Sequence, residues 1–311
     1  MKAVMYHYVR PGTDRPPYDY YYLDLDDFRR QLNFFAREYV FVGRDRFESC
    51  LDGAAPPDNG ILLTFDDGLL DHHEWVLPEL ESRDLWGLFF VPTAPLVHGV
   101  RLSVHRVHTL LGVAPDRELL AGLEEIIDAD PELEGNADRF EEVYESRSTP
   151  GQAARFKRLV NFAIPYERLD SVLTRLEDRF PTARDVGVDE YYLTPERLRD
   201  LEAAGMGIVS HSVNHPVLSR LPPNGQASEI SDSIEHLDDL LVHAPMDAFA
   251  YPYGGAETYT ETTIQRVGRA GCSLGFTTVA GDVTPTEITE SPLTLPRRDC
   301  NEFPHGQASG G

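Results

Sequence analysis

At 311 residues, 41% apolar and 26% charged, the chain has the make-up of a globular protein with room for one large α/β domain or two small ones. Its formal charge of −24, with only two lysines (Lys2 and Lys157), leaves no basic patch for nucleic acid or for an anionic membrane surface. No apolar run reaches the roughly 18 residues of a membrane span, and three scattered cysteines, Cys50, Cys272 and Cys300, suggest no disulfide framework and fit a reducing compartment.

In chain order, the first segment, MKAVMYHYVRPG, is too short and too polar for a signal peptide. Taken as the native start, it predicts a cytoplasmic protein. Residues 3–6 within it read as a strand followed by His7. Asp26 is expected to cap a helix whose Phe28, Leu32 and Phe35 share one face. An apolar run over residues 61–65 predicts a buried strand followed by two adjacent acids, Asp66 and Asp67. Residues 88–91 predict a third strand.

From about 98 to 190 the rhythm changes to a Glu-, Asp-, Arg- and Leu-rich segment without a clear strand. Leu119, Leu123, Ile126 and Ile127 suggest one helix, and Leu169, Leu173 and Leu176 another. We read the segment as a helical insertion in a single 1–311 domain, either a lid over the barrel mouth or a packing appendage. Thr194-Pro195 predicts a helix start. Residues 207–210 read as a strand before His211, and Ile230, Ile234, Leu237 and Leu241 as one helix stripe. Residues 248–251 and 293–295 complete the expected strands, followed by Pro252-Tyr253-Gly254 and Pro296-Arg297-Arg298-Asp299. Alternating strands and helices imply a mainly parallel sheet or barrel, in which the strand C-termini gather on one face. Reactive residue types follow the strands here, as an enzyme requires.

Two acids in succession at a strand end point to opposite faces, so one can hold a metal while the other handles a proton. His211 and His215, four apart, reach one cation if they sit on a helical turn. Two imidazoles and a carboxylate form a recognised set for a catalytic divalent cation. Taken singly, Asp66 reads equally as a turn residue and Tyr253 as a packing aromatic.

The segments TFDDG, HSVNHP and FAYPYG resemble the first three motifs of the polysaccharide deacetylases, the fourth family of carbohydrate esterases. The resemblance extends from Met1 to about Arg298 outside the insertion, and implies a distorted (β/α) barrel. By motif it makes Asp66 the catalytic base and Asp67, His211 and His215 the ligands of a divalent metal, Zn in the first place, with Co, Ni or Fe as alternatives. The Tyr253 N–H then faces the oxyanion of the tetrahedral intermediate. Two departures stand out. Ala250 occupies the position where the family commonly has arginine, and the late leucine-x-histidine motif that carries the family's catalytic acid is missing. Some family members look circularly permuted and open on Met-Tyr-His, as this chain does at Met5-Tyr6-His7. His7 is therefore expected to be the general acid, with His108 of the insertion as the other candidate. Arg297 is the candidate for the displaced arginine, pairing with Asp66 to keep it ionised; Asp299 is a weaker candidate for orienting one of these groups. Tyr20, Tyr21 and Tyr22 suit either sugar stacking or a hydrophobic wall.

The expected activity is hydrolysis of the N-acetyl or other N-acyl amide of a sugar or glycan. The absent signal peptide favours a nucleotide-linked, lipid-linked or free sugar over an exported polymer. Two rivals remain open at this stage, a C–N hydrolase of non-sugar amides or ureides and an inactive glycan-binding relative.

Overall fold

The computed structural model describes residues 1–130, Leu133 and 151–309. They form two compact units. The first comprises Met1–Gly12, Tyr21–Val100 and Tyr191–Ser309. Its strands are β1 (Lys2–Tyr6), β2 (Val9–Arg10), β3 (Leu23–Asp24), β4 (Val40–Phe41), β5 (Gly60–Asp66), β6 (Gly87–Val91), β7 (Gly207–Ser210), β8 (Ala248–Ala250), β9 (Leu274–Ala280) and β10 (Leu295–Asp299). The order β1-β10-β9-β8-β7-β6-β5 is parallel throughout and closes on itself, because β1 bonds to β5 as well as to β10. The result is a seven-stranded barrel, with β4 added beside the start of β5 and β2–β3 forming a separate pair.

Alternation along β5 divides the core. Ile61, Leu63 and Phe65 pack outward with Phe28, Leu32 and Phe35 of the helix Leu25–Glu38. Leu62 points the other way, among Ala3, Phe90, Val209, Ala250, Phe276 and Leu295, and Thr64 and Asp66 share its face by the two-residue period. Strands buried on both faces read as continuous apolar runs, which is why β5 and β6 stand out in the sequence. The registers Tyr6↔Phe65, Asp66↔Phe90 and Val91↔Ser210 bring the ends of β1, β5, β6 and β7 to one rim.

Several local expectations need correction. The cap of the first long helix is Asp24, whose side chain accepts from the Asp26 N–H at 2.8 Å; Asp26 lies inside the first turn. The last strand runs over Leu295–Asp299, and Leu293-Thr294 belongs to a short turn opened by Pro292. Pro296 is tolerated because the pairing with β9 shifts register between Leu295 and Arg297, where no ladder N–H is needed. Arg297 thus lies within a strand. Strand β9 carries no clear sequence signal. Its Gly275 is required by packing, since a Cβ there would stand 2.2 Å from the Leu293 carbonyl oxygen. Helix Pro195–Ala203 begins as expected, with Thr194 accepting from the Arg197 N–H.

The second unit comprises Thr13–Tyr20 and residues 101–190 as far as they are described. Helices Ser103–Val113, Asp116–Asp128, Gln152–Arg158 and Tyr166–Arg179 pack around Leu119, Leu123, Ile126, Phe156, Leu169, Leu173 and Leu176. Arg106 is buried there and donates to Glu177 at 2.6 and 3.1 Å and to Asp170 at 2.7 Å. Part of the expected insertion, 131–132 and 134–150, lies outside the described residues. No helix among the described residues is long and apolar enough to cross a membrane.

Candidate active site

The ends of three strands, β5, β7 and β8, deliver polar groups to one rim. β5 ends at Asp66, and the next residue, Asp67, adopts φ 81°, followed by Gly68 at 59°. β7 ends at Ser210, and residues 211–215 form a kinked loop with Ser212 at φ 65° and His215 at φ 55°. The expected helical turn is absent, because the loop's amides bond to a neighbouring strand end and to a side chain of the loop itself. The His211 N–H goes to the Val91 carbonyl (3.2 Å), and the His215 N–H to Ser212 Oγ (3.0 Å). After β8, Tyr253 (φ 63°) and Gly254 (φ 62°) turn the chain. Of the seven described non-glycine residues with positive φ, four (Asp67, Ser212, His215, Tyr253) belong to this rim. Each such conformation costs on the order of 1–3 kcal/mol, and clusters of them mark functional sites.

Asp67, His211 and His215 are all buried, and each offers a ligand atom within 4.8 Å of the others. Asp67 Oδ1 lies 3.5 Å from His211 Nε2 and 3.4 Å from His215 Nε2. These spacings exceed hydrogen bonds and match the donor–donor edge of about 3.3–3.4 Å that follows from tetrahedral ligation at about 2.0–2.1 Å. His211 Nδ1 donates to the Ala250 carbonyl at 2.8 Å, which fixes the tautomer and leaves the Nε2 lone pair for a cation. The donor set therefore fits a small divalent metal.

Beside it, Arg297 donates to Asp66 through both terminal nitrogens, at 2.6 and 2.7 Å. Its Nε donates to the Thr277 carbonyl at 2.9 Å, and the guanidinium lies over Phe90. Burial alone would raise the Asp66 pKa. The Arg297 charge and hydrogen bonds outweigh it, and the carboxyl is held below its ordinary value. The His7 ring, 40% exposed, places Nε2 3.8 Å from Asp66 Oδ2 and 4.0 Å from Asp67 Oδ2.

Of the remaining candidates, Tyr253 belongs to this rim and the others fall elsewhere. The Tyr253 ring packs edge-on against His215 at 4.9 Å, and its carbonyl accepts from Thr278 Oγ1 at 2.8 Å. Asp299 caps the turn Cys300–Glu302, accepting from the Asn301 N–H at 3.0 Å. His108 and His105 belong to the second unit, where His108 stacks on Tyr20 at 4.3 Å and His105 is buried beside it. Tyr21 is exposed, and Tyr22 pairs its backbone with Ser309.

Two contributors were not expected at the site: from sequence His72 reads, with His73, only as the start of a helix, and Glu229 is unmarked. His72, in the π-helical turn His72–Val76, is fully buried, and burial pushes its pKa down to about 4. Neutral, it donates from Nε2 to the His7 carbonyl at 3.1 Å. Glu229, on the helix Pro223–Leu240, accepts from the backbone of the loop between the two site histidines. Nothing in its local sequence marks it, since its partners lie 15 and 16 residues back in the chain.

Residues 179–274 match the family model described as polysaccharide deacetylase. A curated Bacillus subtilis (strain 168) protein, named "Putative polysaccharide deacetylase YxkH", is 27% identical over 124 residues, 36% of this chain and 43% of that protein. The match thus spans less than half of that relative. The solved Streptococcus pyogenes deacetylase PplD, in complex with acetate, superposes with a TM-score of 0.57 at 20% identity, covering 96% of this chain and 91% of that one. A de-N-acetylase from Aggregatibacter actinomycetemcomitans gives 0.55 at 14% identity, with 96% and 93% covered. At these identities the structural likeness is one of fold, and it agrees with the (β/α) barrel expected from the motifs.

Proposed function

We propose that this chain, which carries a polysaccharide deacetylase sequence match on the barrel of the solved deacetylases, is a metal-dependent N-deacetylase of a sugar or glycan, a hydrolase of carbon–nitrogen bonds. The observation that supports this best is the convergence, at one barrel rim, of the Asp67–His211–His215 donor set with the Arg297-clamped Asp66 and His7. A divalent cation held by the three donors would polarise the amide carbonyl and make a water molecule more acidic. Asp66, kept as a carboxylate by Arg297, accepts the proton of the water whose oxygen attacks the carbonyl carbon. The Tyr253 N–H donates to the oxygen that becomes negative as the tetrahedral centre forms. When the C–N bond breaks, His7 protonates the departing nitrogen, so that an amine and a carboxylate leave. His72 fixes the backbone of His7 from below the site. The acetate bound to the Streptococcus pyogenes structure is the acid such a reaction releases. Zinc is the first choice of metal for a two-histidine, one-carboxylate set, with Co, Ni and Fe as alternatives. A reducing, cytoplasmic location suits the three free cysteines.

The test is acetate release from N-acetylglucosamine and its oligomers, with chelator removing the activity and added Zn²⁺ restoring it. Asp66→Asn is expected to lose about 10²–10⁴-fold in turnover. A loss below about tenfold removes Asp66 as the base. Unimpaired turnover in His7→Ala would move the acid to another residue, with His108 next to be tested.

A further inference from the structure

The loop between the two site histidines is held in an unfavourable shape. Ser212 and His215 both have positive φ, a region uncommon for residues other than glycine. The loop persists only if its surroundings over-determine it. Part of the holding comes from the neighbouring strand end, where the Thr93 and Ala94 N–H groups donate to the Ser212 and Val213 carbonyls at 3.2 and 2.9 Å. The other part comes from Glu229. Its Oε2 accepts from two consecutive amides, Val213 at 3.0 Å and Asn214 at 2.8 Å, and its Oε1 accepts from Asn214 Nδ2 at 2.7 Å. Successive N–H groups converging on one anionic oxygen form a nest, and bonds to a carboxylate are roughly twice as strong as neutral ones.

We infer that Glu229 is a positioning residue for the metal centre, setting the spacing of His211 and His215 by clamping the loop that joins them. This rests on the reading of Asp67, His211 and His215 as a metal site. Glu229 acts through its bonds to Val213 and Asn214. Groups that orient ligands in this indirect way typically change metal affinity by about 10–100-fold when removed. Its helix, Pro223–Leu240, gives the clamp a rigid base, with Ile230 and Leu237 buried in the hydrophobic core of the same unit.

The experiment is a Zn²⁺ titration of metal-free protein against a chromophoric chelator, with Co²⁺ absorption as a geometric signature. Wild type, Glu229→Ala and Glu229→Gln are compared, together with the unfolding midpoint of each metal-free protein. Glu229→Ala is expected to weaken Zn²⁺ binding by about 10–100-fold and to shift the Co²⁺ spectrum. Glu229→Gln should fall between it and wild type, because a neutral carbonyl still accepts from the two amides but more weakly. A merely structural role would lower the midpoint and leave affinity and spectrum unchanged. Affinity within about twofold of wild type in Glu229→Ala, with wild type binding Zn²⁺, overturns the inference alone. Should Glu229→Ala not fold, wild-type affinity in Glu229→Gln overturns it equally. A wild type that takes up neither metal overturns the metal-site reading, and the inference with it.

Discussion

Asp66 is buried with both carboxylate oxygens engaged by Arg297, and that pairing governs its protonation. A carboxyl whose folded pKa is depressed contributes stability that is fully present above its unfolded value of about 3.9 and is lost as pH falls through the lower folded value. In Arg297→Met the same carboxyl is buried without its cation, and removing one partner of a buried pair typically costs about 3–5 kcal/mol. Urea unfolding in chelator should therefore show a large gap between wild type and Arg297→Met at neutral pH. That gap should narrow as pH falls and Asp66 becomes neutral in both proteins. A gap that is constant with pH would mean that Arg297 acts by packing alone. The two residues lie 231 positions apart, so no local pattern links them. The sequence offered Arg297 only as a replacement for an arginine missing at Ala250, and its placement inside β10 became visible only with the barrel closed. His72 is a similar case: from sequence it is one of two adjacent histidines at a helix start, and only the structure seats it under the His7 carbonyl.

The elements that matter most are the short connections after β5, β7 and β8. Their backbones share positive φ at Asp67, Ser212, His215 and Tyr253. The His-x-x-x-His spacing suggests a helical turn, because four residues bring side chains to one face. In the fold the same two rings are brought to 4.8 Å by a kinked loop tied to Glu229 and to residues 93–94. Spacing can indicate that two ligands meet, but the route between them depends on which distant groups accept the loop's amides. Gly254 shows the constraint most directly. At φ 62° an added Cβ would stand 2.6 Å from the Thr278 N–H nitrogen. Gly254→Ala is expected to cost about 1–3 kcal/mol and to displace Tyr253, lowering turnover more than substrate affinity. Unfolding and steady-state kinetics together check this, and a variant that is destabilised with unchanged kcat would remove Tyr253 from the chemistry. Strands β1, β5, β6, β7 and β8 were legible as apolar runs, whereas β9 gave no signal and the last strand was expected at 293–295, ending before Pro296, when it runs over Leu295–Asp299.

At the scale of the whole molecule, a formal charge of −24 is a self-repulsion that compactness must overcome. Raising salt from about 0.1 M to about 1 M shortens the screening length from about 10 Å to about 3 Å. The thermal midpoint is therefore expected to rise with NaCl, and a midpoint indifferent to salt would show that the excess acids are neutralised locally. Such local pairing does exist, as between the half-buried Asp282 and both Lys2 and Arg298 at 2.5 Å, but pairs near the surface contribute little. By itself the sequence determined the alternation of strands and helices, the chemical types that follow the strands, and the motif order that resembles the polysaccharide deacetylases. These are properties of neighbours in the chain, where periodicity and residue type act over a few positions. Only the tertiary structure decided that Arg297 meets Asp66, that His7 stands beside both acids, and that Glu229 grips the loop between two histidines. Closing the barrel joins β1 to β10 and to β5, and so brings His7 and Arg297, far apart in the sequence, beside Asp66, a juxtaposition that no local pattern encodes.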